Sequence, residues 1–367
     1  MKKFFLIILS SFIFLALTGC GVYEEVNHNA NDVREKTKQR IIGILMPKRD
    51  SLRWTKDGDN LRYEFEKRGY KVDMQNSEND TQRQQDQLKY MIENGADIII
   101  VAAVDSEALA EVLAEAKTKN IPVIAYDRLI MNTDAVSYYV SFDNKAVGRL
   151  LGEYIENTFG LNNGAGNFNV EFFAGSVDDN NARIVNDSLL EVLQPYIDNG
   201  QLNIPSGQID FDQTTIYRWR NEESNKRMGN ILENVYGGQT PPDAVICASD
   251  SISSGVISAL EAYGFRAPDY WPIVTGQDGD VVAARNIITG KQSMTIFKDT
   301  RVLSAKCAEM VDDLFNGNIP DINDNMTYDN GEIIVPSYLC QPVVVTKDNF
   351  KEVFLDTGYY APEDVGL

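Results

Sequence analysis

The residues that could do chemistry recur in one kind of place, just past the carboxyl ends of short apolar runs. They are Pro47 to Trp54, Asp105, Asp127-Arg128, Asp143-Asn144, Gly175 to Asn181, Ser249-Asp250, Gln277-Asp278 and Lys298-Asp299. Carboxylates, amides, guanidinium and ammonium groups dominate them, and Trp54 and Trp219 add two indoles. Such a set matches a neutral polyol. Each sugar hydroxyl both donates and accepts, so a carboxylate takes its proton while Arg, Asn or Lys gives one. The C–H face of the ring needs an apolar plate, which Trp54 and Trp219 can supply. Taken singly, a polar residue at a strand end is more often a helix cap. Asp105 before Ser106-Glu107 reads first as one, and Asp250 before Ser251 carries the same ambiguity. The joint occurrence of these residues carries the polyol reading.

Much other chemistry is excluded. The chain has one histidine, His28, which leaves no His-based triad and no imidazole general base. No GxGxxG or GxxxxGK[ST] loop is present, so nucleotide binding has no support. Cys247, Cys307 and Cys340 are far apart without CxxC or metal spacing, and a pairing between two of them stays open. Cys247, inside Ala244 to Ala248, reads as a buried small hydrophobe. No cofactor and no metal are expected. With 34 Lys+Arg against 54 Asp+Glu the net charge is −20, which argues against nucleic-acid or anionic-lipid binding by the main body.

The elements that must position these groups alternate. Ile41 to Met46, Ile98 to Val104 and Val123 to Tyr126 read as strands, with helices over Arg53 to Arg68 and Ser106 to Lys117. A second series has strands at Phe168 to Ala174, Ala244 to Ala248, Ile273 to Thr275 and Met294 to Phe297. Its helices are Ala182 to Tyr196, Ser251 to Tyr263 and Val281 to Ile288. Alternating strands and helices mean parallel βαβ units, and nearly continuous β-branched runs suit strands covered on both faces. A length of 367 residues suits two such α/β, doubly wound lobes. Sheets of this kind bind ligands at the carboxyl ends of their strands.

The amino terminus reads as a targeting segment. Lys2 and Lys3 precede the apolar run Phe4 to Ala16, too short to span a bilayer comfortably, and Leu17-Thr18-Gly19-Cys20 resembles a bacterial lipobox. Residues 1–19 are then an expected signal peptide, Cys20 the lipidated terminus, and 20–40 an anchor and polar tether. About twenty flexible residues reach roughly 25 Å.

Five motifs carry a family resemblance: Asp127-Arg128 after Val-Ile-Ala-Tyr; Ser141-Phe142-Asp143-Asn144; Gly175-Ser176 with Asp179-Asn180-Asn181-Ala182; Gly276-Gln277-Asp278; and Thr295-Ile296-Phe297-Lys298. In order and separation they resemble the ribose/galactose/xylose-type periplasmic binding proteins, above all the multiple-monosaccharide and xylose-binding members, over residues 41–360. The resemblance implies two lobes joined by a three-stranded hinge, closing over one sugar that is delivered to an ABC permease. It implies a first lobe of 41–143 and 299–330, and a second of 144–298 and 331–367. It makes Arg53 a hydroxyl donor, Trp54 a plate, and Asp127 and Arg128 a carboxylate and a fork. It places Asp143 or Asn144 at the first crossing, Asn180 and Asn181 on the second lobe, Trp219 as the opposing plate, Asp278 as a carboxylate and Lys298 at the second crossing. Ser249, beside Asp250, stands where many relatives carry Asn; serine is shorter and has no amide fork.

Three rivals are weighed. A glycoside hydrolase would need a raised-pKa acid, whereas Asp127 beside Arg128 favours the ionised form. A transcriptional regulator would need a basic helix-turn-helix in place of the signal segment. A sugar-sensing receptor presenting its ligand to a histidine kinase or chemoreceptor stays open as the alternative. The expectation is a monomeric, extracytoplasmic, lipid-anchored monosaccharide-binding protein that is not an enzyme.

Overall fold

The computed structural model describes residues 39–49 and 51–367. The expected signal peptide, Cys20 and nearly all of the tether lie outside the described residues.

The chain builds β1 (Ile41–Met46), α1 (Leu52–Lys67), β2 (Lys71–Asn76), α2 (Thr81–Glu93), β3 (Ile98–Val101), α3 (Ala110–Thr118), β4 (Val123–Tyr126) and β5 (Tyr138–Phe142), then crosses to a second lobe. There it forms α4 (Asn144–Phe159), β6 (Phe168–Phe173), α5 (Asn180–Asp198), β7 (Leu202–Asn203), α6 (Phe211–Thr214), α7 (Asn221–Asn234), β8 (Ala244–Cys247), α8 (Asp250–Ala262), β9 (Ile273–Val274), β10 (Gln277–Asp278), α9 (Val281–Ile288) and β11 (Met294–Phe297). It returns for α10 (Thr300–Phe315) and β12 (Ser337–Cys340), and ends on the second lobe with β13 (Val343–Thr346) and α11 (Pro362–Val365). The first sheet has the order β12-β5-β4-β3-β1-β2; the second lobe holds β7-β6-β8-β9 and β10-β11-β13. The named strands pair in parallel except β13 on β11. This is the type I periplasmic-binding-protein fold.

Burial explains the strands. β3, β4, β8 and β11 are buried at every position, which is why they read as continuous apolar runs. β2, at the sheet edge, carries Lys71-Val-Asp-Met-Gln-Asn76 and gives no such signal. In the second lobe α4 and α5 pack so closely that a Cβ on Gly148 would lie 2.3 Å from the Val185 carbonyl oxygen.

One expected boundary moves. β12 pairs in register with β5, from Ser337 opposite Tyr139 to Cys340 opposite Phe142, and Val335 and Leu339 join the first-lobe core. The returning segment therefore runs to Cys340 rather than 330. The tail beyond it packs Val345, Phe350, Phe354 and Tyr360 against Ala284, Ile287 and Phe297. Another expectation also shifts: α3 starts at Ala110 rather than Ser106, because the Asp105 carboxylate accepts from the Glu107 amide at 2.9 Å and closes a turn instead of capping a helix. Cys247, Cys307 and Cys340 are buried free thiols, and burial raises the pKa of each.

Candidate functional site

The strand ends of both lobes face one cleft. At its centre is Arg53, on the first turn of α1 with Trp54; both are buried. One helical turn on, Asp57 accepts from Arg53 Nε at 2.5 Å and from the Tyr126 hydroxyl at 2.6 Å, so the guanidinium is fixed from behind. Its forward donors diverge. Nη2 donates to Asp127 Oδ1 at 2.6 Å, and Nη1 donates to Asp278 Oδ1 at 2.8 Å on the other lobe. Lys298 Nζ lies 3.0 Å from the same Asp278 oxygen.

The electrostatics follow from this array. Burial by itself would lower the Arg53 pKa, but Asp127, Asp57 and Asp278 hold it well above the usual value. Burial pushes Asp57 up to about 6 even though Arg53 and Tyr126 oppose it. Asp127 also feels burial, yet Arg53, then Lys298 and Arg128, keep it below the ordinary carboxylate range. Its ionisation is therefore owed chiefly to Arg53, not to its neighbour in sequence. Asp280 is raised to about 6 by burial and by Asp278.

Arg128 is divided between tasks. Nη1 donates to the carbonyls of Ala103 at 2.9 Å and Val104 at 3.2 Å, and Nε lies 2.9 Å from Asp179 Oδ2 on the second lobe, an ion contact not aligned as a hydrogen bond. Asn181 Nδ2 donates to the Asp127 carbonyl at 2.6 Å, a further bond between lobes. The Trp54 ring lies 5.6 Å from the Arg53 guanidinium and 5.3 Å from that of Arg128. On the opposite wall, Trp219 lies against Gly175, where a Cβ would meet ring carbons at 2.1–2.6 Å, so the glycine admits the plate. Arg218 and Trp219 both have left-handed φ, 53° and 58°, at a cost of about 1–3 kcal/mol each. The Ser176 hydroxyl oxygen accepts from the Arg218 amide at 2.7 Å, and Ser251 Oγ donates to the Trp219 carbonyl at 2.9 Å.

Of the residues singled out in the sequence, Arg53, Trp54, Asp127, Arg128, Asn144, Asn181, Trp219, Ser249, Asp278 and Lys298 line the cleft. Asp143, Asn180 and Asp250 do not. Asp143 caps α4 by accepting from the Ala146 amide at 2.9 Å, which leaves Asn144 as the cleft residue of that pair. Asn180 opens α5, and its amide donates to Ser106 Oγ at 3.3 Å. Asp250 is buried and accepts at 2.8 Å from the amides of Gly279 and Asp280, from Thr295 Oγ1 and from Gln292 Nε2. It anchors the segment that carries Asp278. The α8 cap is Ser249, whose Oγ accepts from the Ile252 amide at 3.3 Å.

Lys48, Ser51, Asn79, Asp178, Asp179, Arg218, Ser251, Gln277 and Asp280 also line the cleft. Lys48, Ser51, Asp178, Asp179 and Gln277 fell inside the strand-end segments already marked, and Arg218 adjoins Trp219. Asp57 was detectable only as the i+4 partner of Arg53. Five cations (Lys48, Arg53, Arg128, Arg218, Lys298) face five carboxylates (Asp127, Asp178, Asp179, Asp278, Asp280). Trp219 Nε1 and Gln277 Oε1 are buried at the wall without partners among the described residues. Also among these residues, no group of three or more His, Cys, Asp or Glu could hold a metal, and no helix is long and apolar enough to cross a membrane.

Residues 42–319 match the family model described as a periplasmic binding protein domain. The chain is 43% identical to a multiple sugar-binding periplasmic protein of Azospirillum brasilense, over 87% of this chain and 89% of the relative. It is 41% identical to a multiple sugar-binding periplasmic receptor of Rhizobium radiobacter, over 88% and 92%. A solved solute-binding protein of an ABC transporter from Clostridium phytofermentans, with bound β-D-glucose, superposes with a TM-score of 0.86 at 44% identity. That match covers 89% of this chain and 100% of the other. Two hinged α/β lobes around a polar cleft, with these matches over most of the sequence, place the chain in the periplasmic binding protein family, whose members bind solutes rather than transform them.

Proposed function

We propose that this protein captures one neutral monosaccharide (xylose, glucose, galactose or similar) between its lobes and delivers it to an ABC permease. The observation that carries the reading is the Arg53 array. Its guanidinium, fixed by Asp57, presents carboxylates of both lobes to the same space, Asp127 from the first and Asp278 from the second. A ligand bridging these groups contacts both lobes only when they are closed, and that differential contact drives closure. The equal numbers of cations and carboxylates on the walls favour a neutral ligand over an ion. The indoles Trp54 and Trp219, on opposite lobes, suit the faces of a pyranose ring. The sugar-binding names of the similar proteins and the glucose held by the similar structure support the same ligand class.

The proposal places the protein outside the cytoplasm, monomeric and held to the membrane through lipid on Cys20. Fatty-acid labelling of the cell-bound protein should disappear in Cys20→Ser while sugar affinity is unchanged; labelling that persists removes the anchor from the account. A thermal-shift screen over pentoses and aldohexoses, followed by uptake in cells with and without the gene, tests capture and delivery separately. The receptor function is the second reading, favoured by the relative named a periplasmic receptor. Loss of a sugar-induced signalling response with uptake intact would select it.

A further inference from the structure

Among the described residues, two pairs of consecutive non-glycine residues have left-handed backbone: Glu78 (φ 52°) with Asn79 (57°), and Arg218 (53°) with Trp219 (58°). Such backbone is uncommon for residues with a side chain. The pairs belong to opposite lobes, and they meet: Arg218 Nη1 donates to the Asn79 carbonyl. Asn79 follows β2, the strand at the far edge of the first sheet from β5 and β12, next to which the chain crosses between lobes. This contact therefore sits at the mouth of the cleft, where rotation about the hinge separates the lobes most.

Both sides of the contact are held in place. The Asn79 amide donates to the Pro47 carbonyl at 2.7 Å, and the Arg218 amide donates to Ser176 Oγ at 2.7 Å. Arg218 Nε also lies 3.7 Å from Asp178 Oδ2, on its own lobe, which aims the guanidinium. Arg218 immediately precedes Trp219, so the turn that reaches across the mouth is the turn that seats the plate against Gly175.

We propose that Arg218 is a positioning residue for sugar capture, a latch across the cleft mouth that forms on closure and sets how long the ligand is retained. The inference rests on the sugar-binding reading above. A latch contributes to the closed state whatever ligand is inside, so its loss lowers the affinity for every ligand by one common factor. A residue touching one hydroxyl would instead change the ranking of sugars that differ there.

The test compares wild type, Arg218→Ala, Arg218→Gly and Arg218→Lys in stopped-flow tryptophan fluorescence with each pentose and hexose that wild type binds. Arg218→Gly relieves the left-handed backbone, so it keeps the test valid where Arg218→Ala folds poorly. The expected result is a roughly tenfold faster release for the alanine and glycine variants, the same for all sugars, with unchanged association and most of the loss recovered in Arg218→Lys. Unchanged release, or a loss confined to particular sugars, overturns the latch while leaving sugar capture standing. Absence of binding by wild type overturns sugar capture itself, and the latch with it.

Discussion

Arg53 of the first lobe and Asp278 of the second meet at 2.8 Å, and neither is free to turn away. Asp57 holds the guanidinium from behind, while Lys298 shares the Asp278 oxygen it contacts. Asp278 has φ 105°, a left-handed backbone for a non-glycine residue, and Asp250 pins the next two amides. Each of the two groups is thus held in place by its own surroundings, so closure of the lobes, rather than ordering of these side chains, is what remains to be done when a ligand enters.

Removing the central cation should expose how much of this array is mutual support. Arg53→Met leaves Asp57 buried without its counter-charge, and breaking a buried pair on one side costs about 3–5 kcal/mol. Urea unfolding at pH 7 should register a loss of about 3 kcal/mol or more, and adding Asp57→Asn should recover at least half of it. Wild-type stability in Arg53→Met would contradict the arrangement.

Asp57 should also leave a signature in pH. Its carboxyl is near 6 in the folded protein against an ordinary value of 3.8, so between those values the folded state keeps a proton that the unfolded chain has lost. Its contribution to stability is therefore greatest below about pH 4 and declines as pH rises through 6. Asp57→Asn lacks that decline. From pH 4 to 7, the stability of the variant relative to wild type should move in the variant's favour by up to about 3 kcal/mol. A pH-independent difference would refute the raised carboxyl.

The Trp219 plate depends on a missing side chain. In Gly175→Ala the new methyl would lie 2.1 Å from the indole, so the ring must leave its seat. Sugar affinity should fall at least about tenfold, and the ligand-induced change in tryptophan fluorescence should shrink. Unaltered affinity would mean that Trp219 is not a wall of the site.

Arg128→Ala should do more than remove a donor from the ligand. It also strands the carbonyls of Ala103 and Val104, a loss of about 1.5–3 kcal/mol for each charge-assisted bond, and it leaves the carboxylate of Asp179 without its ion contact. Affinity and thermal midpoint should fall together, the former by tenfold or more. A fall in affinity with an unchanged midpoint would return Arg128 to the simple role of a sugar-facing fork.

The sequence made the two-lobed fold legible because strands covered on both faces must be apolar throughout: β1, β4 and β11 begin and end where the runs Ile41 to Met46, Val123 to Tyr126 and Met294 to Phe297 do. The polar edge strand β2 and the short β12 lack that imprint, hence the boundary at 330 in place of 340. At the cleft, residue types and strand-end positions marked Arg53, Asp127, Trp219 and Asp278. What they left hidden was the division of labour between neighbours. Asp143 caps while Asn144 lines, and Asp250 anchors while Ser249 lines. That choice depends on side-chain direction at a helix start, which spacing does not encode. The pairing of Asp127 with Arg53 rather than Arg128 is likewise a contact across 74 positions.

Calorimetric titration of purified residues 21–367 with a panel of pentoses and aldohexoses tests the central claim, capture of a neutral monosaccharide in this cleft, most directly. The account predicts one site and a Kd of about micromolar or tighter for at least one sugar, equivalent to ~8 kcal/mol or more. That affinity should fall at least about tenfold in Asp278→Ala. No heat and no thermal stabilisation with any of these sugars, or wild-type affinity in a folded Asp278→Ala protein, would contradict it.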